Sequence, residues 1–499
     1  MPDQEVPVPL AHSARAAMIG VTLLTVGWLA PAPAAAARPE TATEHDGAAC
    51  VQRGPTLRYV VLFPRGTATE KAEAEITAKC GATTVYYPQV AVAVATSPDP
   101  SFGERFGVDR AFSAQGTVLA RRERTRRQDE TSPRGESRPR RGAPTAADRS
   151  GEQWDMAMIR ADQARRVNPG SRDVVVGVLD SGVDATHPDL ARAVDPSLSV
   201  GCLTGRPNPS PAAWAPTTSV HGTHVAGTIA AADDGRGVTG VAPGVRLASV
   251  KVVDDQGYIF PEYAVCGLLW AAETGMRVVN NSYYVDPWML TCRNREGERV
   301  VHEAVRRAVE YANDRGVLVV AATGNAGVDL SRPGRGATVD EDGHPVDSAC
   351  DVLPAKVRGV VAVSSVGAKR LKAGYSSYGL GVVQVTAPGG DYRQEPTAGG
   401  NGCVLSTVPG GYDYTCGTSM ATPHVTGVAA LLASTHPSAT ASQLARLLNA
   451  QARPVPCPAD YDLNGDGAQD AVCHGATSYN GFYGHGIVDA LAAVTSGED

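Results

Sequence analysis

The chain has 499 residues, 43% of them hydrophobic, enough for one large domain with its own core plus smaller pieces. Its formal net charge of −7 gives no reason to propose nucleic acid or an anionic membrane as a partner, and 54 glycines with 35 prolines suit a loop-rich α/β protein rather than a helical bundle. Ten cysteines, none spaced C-x2-C, favour disulfides in an exported protein over thiolate metal sites.

Residues 1–37 read as a secretory signal. Arg15 precedes an apolar run from Ala16 to Ala30, and Ala32-Pro-Ala-Ala-Ala-Ala37 offers several A-x-A cleavage choices. No later segment holds the roughly 18 apolar residues of a membrane span. A secreted, extracellular protein without a membrane anchor is therefore expected. Residues 50–120 form a small unit, with a strand at Arg58–Phe63, an amphipathic helix at Ala68–Cys80 and an apolar strand at Val85–Thr96. Residues 121–153 are Arg-rich and nearly without large apolar groups. Between Arg121 and Ser150 ten Arg face five Asp or Glu, a local +5 that leaves −12 on the remainder. Such a segment buries too little surface to fold and reads as a disordered, protease-sensitive processing linker, with a nucleic-acid arm as the alternative.

From Trp154 onward short Val-rich runs alternate with helical stretches. Val174–Leu179, Arg246–Val253, Val278–Asn281, Val317–Ala322 and Val360–Val366 are almost continuously apolar, as parallel strands covered on both faces should be. Helices are predicted at His221–Ala231, Tyr263–Thr274, Glu298–Arg315 and Thr418–Ser434. The fold class is therefore α/β: a three-layer sandwich with a mostly parallel central sheet, preceded by a small α+β unit. Cys50 and Cys80 lie upstream, the other eight cysteines in residues 154–495. The short local pairs Cys457–Cys473 and Cys403–Cys416 are expected to bridge.

Four islands carry chemistry. Val174-Val-Val-Gly-Val-Leu-Asp-Ser-Gly182 is a buried-strand pattern ending in an acid, Asp180. His221-Gly-Thr-His-Val-Ala-Gly227 opens a helix, and Val320-Ala-Ala-Thr-Gly-Asn-Ala-Gly327 sets Asn325 after another strand. Gly417-Thr-Ser-Met-Ala-Thr-Pro-His-Val425 puts Ser419 where a helix begins, amid free backbone N–H groups. A serine hydroxyl needs a base beside it and donors for the developing oxyanion. His221 is the expected base, Asp180 its orienting acid, and Asn325 a side-chain donor to the oxyanion. His224 and His424 read as packed helix residues, and Asp184 and Asp189 as solvated turn residues.

These islands, in the order acid, histidine, serine, closely resemble the subtilisin (subtilase) family, with Gly484-His-Gly-Ile-Val-Asp-Ala490 resembling the closing stretch of its catalytic domain. The resemblance spans about 154–495, with insertions near 201–217, 285–298, 328–349, 391–415 and 453–480. It implies an Asp180–His221–Ser419 triad, protein or peptide substrates, and an endopeptidase working through an acyl-enzyme without a cofactor. The sequence has no H-E-x-x-H, so a catalytic metal is not expected. By position, the small unit resembles the family's propeptide, which aids folding and inhibits its own enzyme. Autoprocessing and a monomeric mature form are expected.

Family members place small residues, often glycine, on two extended segments that sandwich the substrate backbone. Alignment puts Gly257, Tyr258 and Ile259 on one segment, and Ser282, Tyr283 and Tyr284 on the other, with Gly324 completing the set. Ile259 and Tyr284 stand where glycine is expected, so either they crowd a subsite and narrow the specificity or their side chains swing out to solvent. A narrow processing enzyme with one client is thus a rival, and a non-catalytic binding pseudoprotease a more distant one. Finally, Asp462, Asn464, Asp466 and Asp470 match the spacing of a calcium loop whose twelfth position is Cys473 rather than Glu. A structural Ca2+ held there is one expectation, a metal-free Asx-turn loop the other.

Overall fold

The computed structural model describes Cys50 and residues 53–128, 147–334, 339–340, 342–396 and 401–495. The signal expected over 1–37 and residues 129–146 of the linker lie outside the described residues. In the small unit β1 (Leu57–Leu62), α1 (Thr69–Ala78), β2 (Ala82–Tyr87), β3 (Val92–Ser97), α2 (Phe102–Phe106), β4 (Ala111–Phe112) and α3 (Ala114–Gln128) follow in turn. Its antiparallel sheet runs β2-β3-β1-β4.

Strand β1 is apolar on both faces for a reason. Tyr59, Val61 and Phe63 pack with Ala72, Ile76 and Phe102 into the unit's own core, whereas Val60 and Leu62 face a second core shared with Phe260, Tyr263 and Ala264. Period-two alternation thus serves two partners at once. Two expectations are corrected here. Val85–Thr96 is a hairpin, not one strand, because Pro88 has no N–H for the ladder and starts a turn closed by Val90 N–H donating to the Tyr87 carbonyl at 3.2 Å. The linker boundary at 121 also fails, since α3 continues to Gln128. Arg121 holds it there, its Nε donating to Asp342 at 2.8 Å and its Nη1 to the Pro287 carbonyl at 2.7 Å.

The remaining chain contains α4 (Trp154–Met158), α5 (Ala161–Val167), β5 (Val175–Asp180), β6 (Val200–Gly201), α6 (Pro211–Trp214), α7 (His221–Ala230), β7 (Arg246–Lys251), α8 (Pro261–Glu273) and β8 (Val278–Asn281). After these come β9 (Thr291–Cys292), α9 (Glu298–Asp314), β10 (Leu318–Ala322), β11 (Cys350–Asp351), β12 (Val360–Val366) and β13 (Val385–Pro388). The last elements used below are β14 (Val404–Val408), β15 (Gly411–Thr415), α10 (Thr418–Thr435), α11 (Ala441–Gln451) and α12 (Ala490–Thr495). Seven strands form a parallel sheet in the order β13-β12-β10-β8-β5-β7-β6.

Both faces of this sheet are covered. Val175 and Leu179 of β5 pack with α8 and α9 residues, while Val176 and Val178 pack with α7 and α10 residues. That two-sided burial explains the unbroken apolar runs. The domain's ends meet, with the Ala490 N–H donating to the Ile159 carbonyl at 2.9 Å and Asp489 paired with Arg160. Both expected local disulfides are present, together with Cys50–Cys80, Cys202–Cys266 and Cys292–Cys350. No helix among the described residues is long and apolar enough to cross a membrane.

Candidate active site

The functional islands all sit where parallel strands end, the edge at which open α/β sheets bind ligands. Asp180 is the last residue of β5 and only 1% exposed. The N–H of Ser181 donates to its Oδ1 at 2.7 Å. Helix α7 begins at His221 and must start almost on top of that strand end. Gly222 allows this, because a Cβ there would lie 2.5 Å from the Gly182 carbonyl and 3.1 Å from Asp180 Cβ. His221 Nδ1 then donates to Asp180, 2.8 Å from Oδ1 and 3.0 Å from Oδ2. Burial disfavours the imidazolium, but the charge of Asp180 and its hydrogen bond outweigh that, so His221 titrates above its ordinary value.

Ser419 is the second residue of α10, and its N–H belongs to the first helical turn, whose donors have no acceptor within the helix. Pro423 sits inside that helix and lacks the N–H that would bond the Ser419 carbonyl. Ser282, just beyond β8, supplies the missing donor, its Oγ giving a hydrogen bond to that carbonyl at 2.8 Å. Ser282 Oγ in turn accepts from Asn280 Nδ2 at 2.9 Å, and Thr426 donates to Asn280 Oδ1 at 3.0 Å. The Ser419 hydroxyl itself donates to the Ser282 carbonyl at 3.1 Å, its resting position in this structure.

Asn325 follows β10. Its Oδ1 accepts from Thr418 N–H at 2.9 Å and Thr418 Oγ1 at 2.8 Å, which fixes the amide and turns Nδ2 the other way. A Cβ on Gly417 would lie 3.4 Å from Asn325 Nδ2 and 3.6 Å from the Ser419 nitrogen. Two donors thus converge beside a glycine that leaves room for an anionic oxygen.

The rival residues have other duties. His224 is buried, with Nε2 3.1 Å from the Val404 carbonyl, and burial together with the neighbouring His221 pushes it down to about 3. It stays neutral. His424 is buried beneath Ser419, bonded to the Met420 carbonyl at 2.7 Å and to Asp155 at 2.9 Å. Asp184 binds the N–H and hydroxyl of Thr186. Asp189 was expected to be solvated and is instead buried, because Val238 N–H and the Tyr412 hydroxyl, each at 3.1 Å, replace its water.

Asp180, His221, Asn325 and Ser419 line one cleft of about 520 Å³, together with Gly257, Ile259, Ser282, Tyr283, Tyr284 and Gly324. Ile259 does not swing out; it is buried against Phe260 and Tyr263. Tyr283 is buried too, its hydroxyl donating to Asn281 at 2.8 Å, whereas Tyr284 is 38% exposed at the rim. Tyr258 stands outside the cleft lining, stacked on Phe260 at 5.5 Å with the Arg122 guanidinium 5.4 Å from its ring. Asp286 and Met289 also line the cleft and were missed. They lie in an insertion, where motif matching has nothing to match.

The loop bridged by Cys457–Cys473 is closed by side-chain-to-backbone bonds. Asp462 accepts the N–H groups of Gly465, Asp466 and Gly467, and Asp470 that of Leu463. Among the described residues no three His, Cys, Asp or Glu side chains gather to hold a metal ion. The Asp462 bonds are Asx-turn bonds within the loop.

A model of the Subtilase family (Peptidase_S8) matches residues 171–486. The chain belongs to the subtilase family. It is 33% identical to subtilisin DY of Bacillus licheniformis over 300 residues, 60% of this chain and 90% of that protein. Subtilisin of Bacillus pumilus is 34% identical over 341 residues, 68% of this chain and 98% of the relative. Fervidolysin of Fervidobacterium pennivorans is 32% identical over 335 residues, 64% of this chain, which spans only 42% of fervidolysin's length. Among solved structures, the epidermin leader peptide processing serine protease of Staphylococcus aureus is similar with a TM-score of 0.63 at 20% identity, over 89% of this chain and 99% of that one. A lanthipeptide protease is similar with a TM-score of 0.53 at 27% identity, over 69% and 93%. The subtilisin-like fold and the serine peptidase family are thereby shown.

Proposed function

We propose that this subtilase is a secreted serine endopeptidase, made with a propeptide and matured by its own cleavage. The observation that carries this reading is the buried Asp180 bonded to His221 Nδ1 in the same cleft as Ser419. In the working enzyme the Ser419 hydroxyl turns from the Ser282 carbonyl toward His221 Nε2, which takes its proton as Oγ attacks the scissile carbonyl. His221 then returns that proton to the leaving amine. Water repeats the sequence on the acyl-enzyme. Asp180 holds the imidazole and balances its transient charge, and Asn325 Nδ2 with the Ser419 N–H receives the oxyanion. No cofactor takes part.

The small unit is the propeptide in this reading. It covers α8 and α9, and α3 lies against the cleft rim, where Arg122 donates to Gln256 at 2.6 Å. Labelling the purified secreted protein with a fluorophosphonate, beside Ser419→Ala, tests the proposal. Single-site labelling of a species of roughly 35–40 kDa, absent in the variant, is expected. A fully processed domain that takes no label sinks the triad.

A second reading, a processing protease with one client, is favoured by Ile259 and Tyr284 where glycine is expected, and by the likeness to proteases named for leader peptides and lanthipeptides. Cleavage of a mixed peptide pool separates the two. One dominant motif supports the processing enzyme, and scattered cuts support the broad endopeptidase.

A further inference from the structure

Two insertions, one after β8 and one after β10, meet in a binding arrangement that the triad and the oxyanion donors do not use. Asp286 and Met289 line the cleft, and Pro287 and Trp288 stand between them in the chain. Against these two residues lies the guanidinium of Arg121 from α3. Its Nε donates to Asp342 Oδ1 at 2.8 Å, its Nη2 to Oδ2 at 2.5 Å and its Nη1 to the Pro287 carbonyl at 2.7 Å. The Trp288 ring is centred 5.9 Å from the guanidinium carbon, and its Nε1–H donates to Asp342 Oδ2 at 3.0 Å. A planar fork set on a carboxylate, beside an aromatic ring, suits arginine better than lysine.

The catalytic domain braces this arrangement from its own side. Asp340 Oδ1 accepts the N–H groups of Asp342 and His344, each at 2.9 Å, and Asp340 is paired with Arg295. Arg295 also donates to Glu298, the first residue of α9, at 3.2 Å. Asp342 is thus aimed from a loop fixed to α9, independently of α3. The small unit covers the place with Arg121 and with Phe112, whose ring stacks on Trp288 at 5.4 Å. When the small unit leaves, a carboxylate and an indole face open beside the cleft.

We infer that the mature enzyme takes an arginine side chain of its substrate into this pocket of Asp342, Trp288 and the Pro287 carbonyl, and that Arg121 fills the pocket until α3 departs. This rests on the peptidase reading, with the small unit removed. Arginine-containing peptides are then the preferred substrate class, and Asp342 and Trp288 determine specificity without touching the scissile bond. Because the pocket is fixed at one place along the cleft, it reads one substrate position. Other positions are not sorted by a guanidinium.

The test begins with denatured β-casein digested by the purified enzyme freed of its small unit. One mapped cut defines a parent decapeptide. Each of the four residues before the cut and the four after it is replaced in turn by arginine or by citrulline, its uncharged isostere. At one position kcat/KM should be about tenfold or more higher with arginine, the scale of a hydrogen bond to a charged group, and elsewhere within about twofold. Lysine at that position should gain less than arginine. Asp342→Asn keeps an acceptor for the Trp288 N–H and should remove the preference. The arginine-to-citrulline ratio is taken within one preparation, so incomplete folding does not shift it. An arginine preference at no position overturns the inference, as does one that survives Asp342→Asn unchanged. Failure to cut β-casein at all would count against the peptidase reading instead. If no Asp342→Asn protein folds, the scan on the native enzyme decides alone.

Discussion

At the scale of single residues, the site depends on who holds what. Asn325 is clamped by Thr418, so its Nδ2 is aimed before substrate arrives. Asn325→Ala should lower kcat by about 10²–10³ with KM nearly unchanged, a magnitude carried over from subtilisin rather than derived from this geometry. Steady-state kinetics on a peptide substrate checks it. For His221 the direction of titration decides the pH profile. In the proposed mechanism His221 must be neutral to accept the serine proton, and Asp180 raises the pH at which its own proton leaves. The acid limb of kcat/KM should therefore lie above the ordinary pH of about 6.5. Asp180→Asn removes the raising cause and leaves burial, so the limb should move to lower pH while turnover falls by up to about 10⁴. These residues were legible in the sequence because each sits at a strand end or helix start inside a motif. Asp189 was misread because its partners, Val238 and Tyr412, lie far away in the chain, and local turn patterns cannot report such burial.

At the scale of elements, helix α10 needs bracing from outside. Pro423 opens its hydrogen-bond ladder at the catalytic turn, and Ser282 of a separate segment closes the gap. The proline was readable from the sequence, but its partner was not, since nothing local links residues 282 and 419. The entry into α10 is braced as well. Cys403–Cys416 closes a loop of sequence separation 13 around the β14–β15 hairpin and ends one residue before Gly417. Replacing both cysteines by alanine should cost about 3 kcal/mol of stability, the scale for a loop of this length. Urea unfolding in the Ser419→Ala background, where self-digestion cannot intervene, measures it. The main strands and helices of the sheet agree with the predicted runs within a few residues, because the Val-rich runs and Gly boundaries encode two-sided burial directly. The hairpin at 82–97 and the length of α3 were hidden for opposite reasons. Apolar continuity masked a turn at Pro88, and a basic composition masked a helix held by tertiary partners.

At the scale of the whole molecule, the small unit and the catalytic domain share a core and a buried charge. Glu262 of α8 is 1% exposed and faces Arg58 of β1 at 3.5 Å. Burial pushes it up to about 7, and Arg58 only partly offsets this. Once the small unit leaves, Glu262 should return toward its ordinary value of 4.5. Docking then takes up a proton, so its stabilisation is full below pH 4.5 and is lost as pH rises through about 7. Size-exclusion of the processed enzyme should show the small unit retained at pH 5 and shed at pH 8, and Glu262→Gln should flatten that dependence. Another consequence follows from the meeting of Ile159 with Ala490. Because the beginning and end of the catalytic domain are neighbours in space, a short peptide could splice them, and the chain could be reopened at the exposed turn near Gly275, where an added Cβ meets nothing within 4 Å. Such a circularly permuted protease would keep every strand pairing described above while presenting new ends on the opposite side of the fold's connectivity, a form in which reporters or surfaces could be attached without disturbing the helix that bears Ser419.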